Sequence, residues 1–170
     1  GETALLEMIH QLEGKKDFSK VPNLIWRQEG KIIVNQPFYS ENLAEHPAPN
    51  YKGFPLGQYL APYSVLPVQF SRGCYYKDCA FCALTLDHQN FRQKDPVKVV
   101  DELEALSKMH DTPYFFFTDE CLALSPTKRL CKELIKRGLD LQWTAEFRFE
   151  KNLSRELLSS LREAGCQKIV

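Results

Sequence analysis

Apolar residues at the start of the chain recur at the spacing of a helix. Four of them fall on one stripe and predict a short amphipathic surface helix: Leu5, Leu6, Ile9 and Leu12. Gly14 follows where a left-handed residue commonly ends a helix. The runs NLIWR at 23–27 and KIIVN at 31–35 flank a short polar segment, so they predict a β-hairpin with Gly30 at positive φ in its turn.

Residues 36–67 show neither a helical nor a strand period. Six of the ten prolines fall there, with aromatic residues between them. Proline fixes φ and removes an amide donor, so this stretch predicts an extended linker whose aromatic side chains hold it to a surface.

From residue 65 the pattern alternates between apolar runs and amphipathic stretches. The runs at 65–70, 114–118, 139–147 and 167–170 predict four strands, and YFFFT at 114–118 is apolar throughout, as in a strand buried on both faces. The intervening helices are bounded by capping signals, namely Asp95-Pro96, Ser125-Pro126 with Gly138, and Ser154 with Gly165. Alternating strands and helices with short loops predict an α/β fold with a parallel sheet and right-handed crossovers.

Charge balance, the length of apolar runs and the cysteine count exclude several classes of function. The 22 Lys and Arg residues balance the 22 Asp and Glu residues, so no long-range field favours nucleic acid or an anionic membrane as a partner. No apolar run approaches the roughly 20 residues that span a bilayer, and the first residues do not resemble a cleavable leader. The six cysteines are too sparse for a disulfide scaffold, which favours a reducing, cytoplasmic location.

Three of the cysteines lie within nine residues, directly after the first predicted strand. The segment SRGCYYKDCAFC places Cys74, Cys79 and Cys82 at the carboxyl end of the sheet, where α/β folds commonly carry their sites. A cluster of four irons needs four ligands, so three thiolates would leave one iron open to a substrate or cofactor.

The segment LPVQFSRGCYYKDCAFC resembles the radical S-adenosylmethionine family, in the subgroup with an upstream cobalamin-binding domain. The resemblance covers residues 65–170. Four residues separate Cys74 from Cys79, whereas the commonest family spacing is three. The family fold implies that residues 65–170 form the N-terminal half of a partial, TIM-like β/α barrel, and that residues 1–64 form the preceding helix, hairpin and proline-rich linker.

The resemblance also implies a chemistry. Cys74, Cys79 and Cys82 would bind a [4Fe-4S] cluster that reductively cleaves S-adenosylmethionine to a 5'-deoxyadenosyl radical, which takes hydrogen from an unknown small-molecule or peptide substrate. The implied cofactor contacts are Phe81 near the adenine, Asp119 and Glu120 at the amino group, and Glu146 and Arg148 at the ribose and carboxylate. An external electron donor is implied, and cobalamin would bind through a domain outside this chain.

Other interpretations stay open. Cys79 and Cys82 have zinc-knuckle spacing, and His88 could complete a zinc site in a non-catalytic binding module. An electron-carrying iron–sulfur protein is a third class. Asp119 and Glu120 could be acids favoured by a helix dipole, and Glu146 and Arg148 could be a structural ion pair. Cys121, Cys131 and Cys166 are expected to be small buried residues, with Cys121 near enough to line the site.

Overall fold

The computed structural model describes residues 1–38, 42–83 and 90–170 of the chain. Its contacts divide the chain into two compact units, Gly1–Glu41 and Asn42–Val170. Across the described residues, no helix combines the length and apolarity that crossing a bilayer would require.

The first unit contains one helix and one hairpin, as the hydrophobic pattern predicts. Helix α1 spans Glu2–Glu13, and strands β1 (Ile25–Gln28) and β2 (Lys31–Val34) pair antiparallel. Gly30 has a φ of 81° in the turn, so the prediction there is confirmed. The prediction for Gly14 is wrong, because its φ is −110° and its amide closes the helix by donating to the His10 carbonyl.

A four-stranded parallel sheet forms the centre of the second unit. It contains β3 (Val65–Val68), β6 (Tyr114–Phe117), β7 (Gln142–Ala145) and β8 (Cys166–Ile169), hydrogen-bonded in that order. All three pairings are parallel, which confirms the predicted α/β architecture. A separate two-residue ladder joins β4 (Ser71–Arg72) to β5 (Arg92–Gln93), and no periodicity in the sequence announces it.

Three helices connect the sheet strands and pack side by side. They are α2 (Pro96–His110), α3 (Leu124–Arg137) and α4 (Arg155–Glu163), and α3 lies against both of the others. Asp95 and Ser154 cap α2 and α4 through their side chains, as predicted. Gly138 ends α3 in the left-handed conformation.

The start of α3 differs from the prediction. The helix begins at Leu124 with Ala123 as its N-cap, two residues earlier than the Ser125-Pro126 signal indicates. Pro126 is tolerated inside the first turn because the first amides of a helix have no acceptor within it. The third sheet strand is also shorter than predicted and ends at Ala145, so Glu146 and Arg148 lie in the loop that follows.

The core lies on one face of the sheet, between the strands and the three helices. Phe115, Phe117 and Trp143 point into it, and the Trp143 ring lies edge-on to Phe117 at 5.4 Å between centroids. The prediction that β6 is buried on both faces is wrong, because Phe116 between them is 37% exposed. Within the described residues the helices cover only one side of the sheet.

The linker adheres through aromatic side chains, as predicted. The Tyr51 hydroxyl donates to the Pro67 carbonyl, and the Tyr63 ring stacks on Tyr114 with centroids 4.0 Å apart. These contacts seat the chain against the edge of β3 before the sheet begins. They therefore fix the position of the amino end of β3. The segment with the clustered cysteines follows the carboxyl end of the same strand.

Candidate functional site

The three clustered cysteines lie in the segment that follows β4, and we call its described residues, 73–83 and 90–91, the cysteine loop. The β4–β5 ladder closes its base by pairing Ser71 with Gln93 and Arg72 with Arg92. Below the ladder, the Lys94 amide donates to the Phe70 carbonyl at 2.9 Å. The two ends of the loop are thus held together at the point where β3 leaves the sheet.

Asp119 and Glu120, which follow the neighbouring strand β6, hold the first arm of this loop. Asp119 accepts hydrogen bonds from the Phe70 amide at 3.0 Å, from the Ser71 hydroxyl at 2.6 Å and from the Ser71 amide. Glu120 accepts from the Gly73 amide at 3.1 Å. These carboxylates therefore bind the backbone on both sides of Arg72.

Burial dominates the electrostatics of Asp119. The residue is only 2% exposed, and desolvation raises the pKa of its carboxyl to about 6 against the lowering effect of the Ser71 and Phe70 hydrogen bonds. Glu120 is half-buried.

Gly73 gives the chain its direction into the cysteine loop. Its φ is 83°, a conformation that L side chains rarely adopt, and an added Cβ would lie 3.6 Å from the Asn90 carbonyl oxygen. Cys74 follows at once. The loop thus requires glycine at the residue before its first thiol.

The other two thiols share one turn. The Cys82 amide donates to the Cys79 carbonyl at 3.1 Å, and all three cysteines are half-buried. Thiolates are the ligands that iron–sulfur clusters use, so the donor set fits such a group. Among the described residues, however, no three His, Cys, Asp or Glu side chains are grouped closely enough to hold a metal ion.

Two tyrosines inside the motif contact the loop after β7. The Tyr75 hydroxyl donates to Glu150 Oε1 at 2.6 Å, and Arg148 donates to the same oxygen at 3.3 Å. The Arg148 guanidinium also lies over the Tyr76 ring, 3.1 Å from its centroid. The segment between the first two cysteines is therefore tied to the carboxyl end of a third strand.

Cys121 lies at this junction. It stands between Glu120, which accepts from the Gly73 amide, and Leu122, whose amide donates to the Glu146 carbonyl at 2.9 Å. Burial raises the pKa of the Cys121 thiol, and it raises that of the Tyr75 hydroxyl as well. Cys121 is buried as expected, and that it lines the site stays a prediction. Cys131 is fully buried as expected, whereas Cys166 is half-buried.

The other residues predicted to contact the cofactor or a metal make fewer contacts with the cysteine loop. Phe81 is 92% exposed, and Glu146 is exposed with its carbonyl accepting from the Leu122 amide at 2.9 Å. The described ion pair of Arg148 is with Glu150 and not with Glu146. His88, the predicted zinc ligand, falls outside the described residues.

Sequence reasoning missed Ser71, Tyr75, Tyr76 and Glu150. Glu150 follows Glu146 and Arg148 at the same spacing of two, but all three lie beyond the end of β7, where strand alternation does not set their direction. The tyrosine contacts join residues some 75 positions apart, and no local pattern reports such a pairing.

The chain is similar in sequence to three curated cyclases. It is 40% identical over 99 residues to the anaerobic magnesium-protoporphyrin IX monomethyl ester cyclase of Rubrivivax gelatinosus, covering 56% of this chain and 18% of that protein. The cyclase of the same name from Cereibacter sphaeroides is 35% identical over 125 residues, covering 71% of this chain and 19% of that protein. That from Synechocystis is 22% identical over the whole chain and 35% of that protein.

One solved structure shows the same fold. It is the cobalamin-dependent S-adenosylmethionine radical enzyme OxsB, with a TM-score of 0.71 and 23% identity over 99% of this chain and 26% of that one. No protein-family model matches the chain. The chain spans about a fifth to a third of the length of the curated relatives it matches.

The sequence and fold comparisons bear on the resemblance and not on the role of any single cysteine. The resemblance to the radical S-adenosylmethionine family, in its cobalamin-associated subgroup, is confirmed by them, and the described residues form a partial β/α fold.

Proposed function

We propose that this chain supplies the cluster-binding part of a radical S-adenosylmethionine enzyme, with Cys74, Cys79 and Cys82 as the ligands. The observation that carries the proposal is three thiols within nine residues on a loop fixed to the carboxyl ends of β3, β6 and β7. Since the described side chains are not gathered into one ligand group, the three thiolates would converge as the cluster binds.

A bound [4Fe-4S] cluster with three cysteine ligands would supply an open iron for S-adenosylmethionine and the electron that cleaves it to a 5'-deoxyadenosyl radical. The protein's part is to hold the cofactor and to orient it. An external electron donor would reduce the cluster. Cobalamin would bind elsewhere in the protein.

Four residues around the cysteine loop have the chemistry to hold S-adenosylmethionine. Arg148, half-buried beside Tyr76, can donate to the carboxylate, and exposed Glu146 can accept from the ribose hydroxyls. The second oxygen of Glu120, to which the described residues donate no hydrogen bond, can accept from the amino group. The exposed ring of Phe81 can lie against the adenine.

Asp119 is less suited to contact the cofactor. Its side chain is almost fully removed from solvent, and its two oxygens already accept three hydrogen bonds from the protein. A cofactor contact there stays a prediction from the resemblance.

The substrate is a separate question. All three curated relatives are named for magnesium-protoporphyrin IX monomethyl ester, which is the first substrate to assay. Because this chain spans only part of those relatives, a protein of their full length that includes it is the proper material for that assay.

Metal analysis tests the proposed ligands. After anaerobic reconstitution with iron and sulfide, the protein should hold about four irons and four sulfides per chain. Cys79→Ala should lose most of that iron, whereas Cys131→Ala, which removes a buried thiol away from the loop, should retain it.

Two results would decide against the proposal. One zinc per chain without acid-labile sulfide would favour the zinc-stabilised binding module. Equal iron content in the Cys79→Ala and Cys131→Ala proteins would show that the metal is not held by the cysteine loop.

A further inference from the structure

We propose that Asp119 and Glu120 are positioning residues that fix where the cysteine loop leaves the sheet, and so where Cys74 stands relative to a cluster. This inference rests on the proposed function, but its structural part concerns contacts that exist without any cluster. It assigns the two carboxylates a role toward the backbone of the loop.

The Asp119 contacts support this role because of their number and their burial. One carboxylate binds the last residue before the ladder, Phe70, and both donors of Ser71. Hydrogen bonds to an ionised acceptor are stronger than neutral ones, and they gain further where water is excluded. The side chain is 2% exposed, so water competes little for these hydrogen bonds.

Glu120 acts one step nearer to the thiol. Its carboxylate accepts a hydrogen bond from the amide of Gly73, the residue directly before Cys74. The positive φ of Gly73 turns the chain into the loop at the same point. An amide anchored at this point limits rotation of the Arg72–Gly73 peptide, which directly precedes the residue pair Gly73–Cys74. The adjacent acids thus hold successive points on one arm of the loop.

The second arm, residues 92–94, has a further anchor of its own on helix α2. Lys94 donates its amide to Phe70 and its ammonium to Glu102 of α2 at 2.6 Å. The return arm is thus bound to a helix and the departing arm to the end of β6, while the ladder and the Lys94–Phe70 hydrogen bond join the two arms. Loss of the Asp119 contacts would leave the departing arm held by the return arm alone and would loosen it relative to β6.

Amide hydrogen exchange tests the contacts directly. Asp119→Asn replaces one acceptor oxygen with an amide NH2 group, which cannot accept from the Phe70 and Ser71 donors. Hydrogen exchange at the backbone amides of Phe70 and Ser71 should therefore accelerate about tenfold. Glu120→Ala should accelerate exchange at Gly73 by about the same factor, and Glu120→Gln, which keeps an acceptor, should restore much of the protection.

Matched controls are available on the surface of the same unit. Asp140→Asn and Glu163→Ala change exposed acids outside the loop, and exchange at residues 70–73 should not change in them. Unchanged exchange at these amides in Asp119→Asn and Glu120→Ala would overturn the inference.

Cluster retention tests the consequence for the thiols. Iron loss to a chelator from the reconstituted protein should be about tenfold faster in Asp119→Asn and Glu120→Ala than in the controls. Glu120→Gln should return it toward the parent rate, a rescue that loss of overall stability would not give. Iron-loss rates equal to those of the parent in both variants would also overturn the positioning role.

The two failures can be told apart. If the parent protein takes up no iron, the proposed function fails, while the exchange experiment still decides whether the carboxylates hold the loop. If iron is bound and only the exchange prediction fails, the positioning role alone is rejected.

Discussion

Asp119 is a carboxyl group that the fold removes from water and then surrounds with hydrogen-bond donors. Burial penalises its charged form and the donors from Phe70 and Ser71 favour it, and burial is the larger effect because the pKa rises to about 6. A carboxyl of this kind makes the free energy of unfolding depend on pH. The sign of that dependence is opposite to the usual one for a paired acid.

The pH dependence can be predicted from this pKa. Between about pH 4 and pH 6 the folded chain holds the Asp119 proton more tightly than the unfolded chain, so the free energy of unfolding should fall as pH rises. The full effect of a shift near two units is about 3 kcal/mol. Urea unfolding of the parent and Asp119→Asn proteins at pH 4, 5, 6 and 7 measures it.

The informative quantity is the difference in unfolding free energy between the parent and Asp119→Asn. Other acids, such as Glu133, have a pKa that is lowered in the folded chain, here by Arg137, and they make both proteins more stable as pH rises. Their effect cancels in the difference. The stability advantage of the parent over Asp119→Asn should shrink as pH rises through this window. Parallel profiles would show that Asp119 titrates alike in the folded and unfolded states.

At the scale of elements, the turn between α4 and β8 depends on a single glycine. Gly165 has a φ of 89°, and an added Cβ would stand 1.8 Å from the Leu141 carbonyl oxygen, which belongs to the backbone and cannot move aside alone. The Gly165 carbonyl also accepts from the Trp143 amide at 3.0 Å. Close approach and positive φ thus coincide where β7 meets β8.

Gly165→Ala should therefore be severely destabilising, by more than about 3 kcal/mol, since the clash adds to the left-handed penalty. Gly138→Ala is the matched control, because Gly138 also has positive φ but has open space around its Cβ position. It should lose only about 1 kcal/mol. Denaturant unfolding of both variants measures these losses of stability. Equal losses in Gly165→Ala and Gly138→Ala would contradict the steric account.

The link between the return arm of the cysteine loop and α2 is a buried ion pair. The side chains of Lys94 and Glu102 are 6% and 9% exposed, and Glu102 Oε1 has no hydrogen-bond partner among the described residues. A buried pair of this kind contributes less than its close contact suggests, because both charges have been desolvated.

Breaking one side of this pair should cost more than replacing both. Lys94→Met leaves the Glu102 charge buried alone and should destabilise the protein by about 3–5 kcal/mol. Lys94→Met with Glu102→Leu should recover most of that loss. Equilibrium unfolding of the single and double variants decides, and a double variant no more stable than the single one would refute the argument.

Local patterns predicted the elements well where capping and periodicity were both present. Asp95 with Pro96 marked α2, and Gly30 marked the hairpin turn. The signal at Ser125-Pro126 was misleading because helix starts tolerate proline at several first-turn positions. The β4–β5 ladder was missed because two residues show no period and their partners lie 20 positions away.

At the scale of the whole second unit, the parallel sheet brings three chain segments to one edge. The ends of β3, β6 and β7 supply the cysteine loop, the Asp119–Glu120 pair and the Arg148–Glu150 pair. Parallel strands place their carboxyl ends together, so the predicted meeting of these segments follows from topology. The partner of each side chain does not follow, because Arg148 pairs with Glu150 and Tyr76, and only contacts in the folded chain select them.

The same topology makes the cysteine motif the part of the site that sequence alone identifies. Three thiols at short spacing constrain the chemistry whatever the details of the fold. The cofactor contacts depend instead on loops after β6 and β7, whose side chains turn in directions that strand alternation does not govern beyond Ala145.

Electron paramagnetic resonance of the anaerobically reconstituted and reduced protein, recorded with and without S-adenosylmethionine, tests the open iron most directly. Binding of the cofactor's amino and carboxylate groups to that iron should change the g values of the reduced cluster. A cluster signal identical in both samples, at saturating cofactor, would contradict the account and leave an electron carrier or a metal-stabilised module in its place.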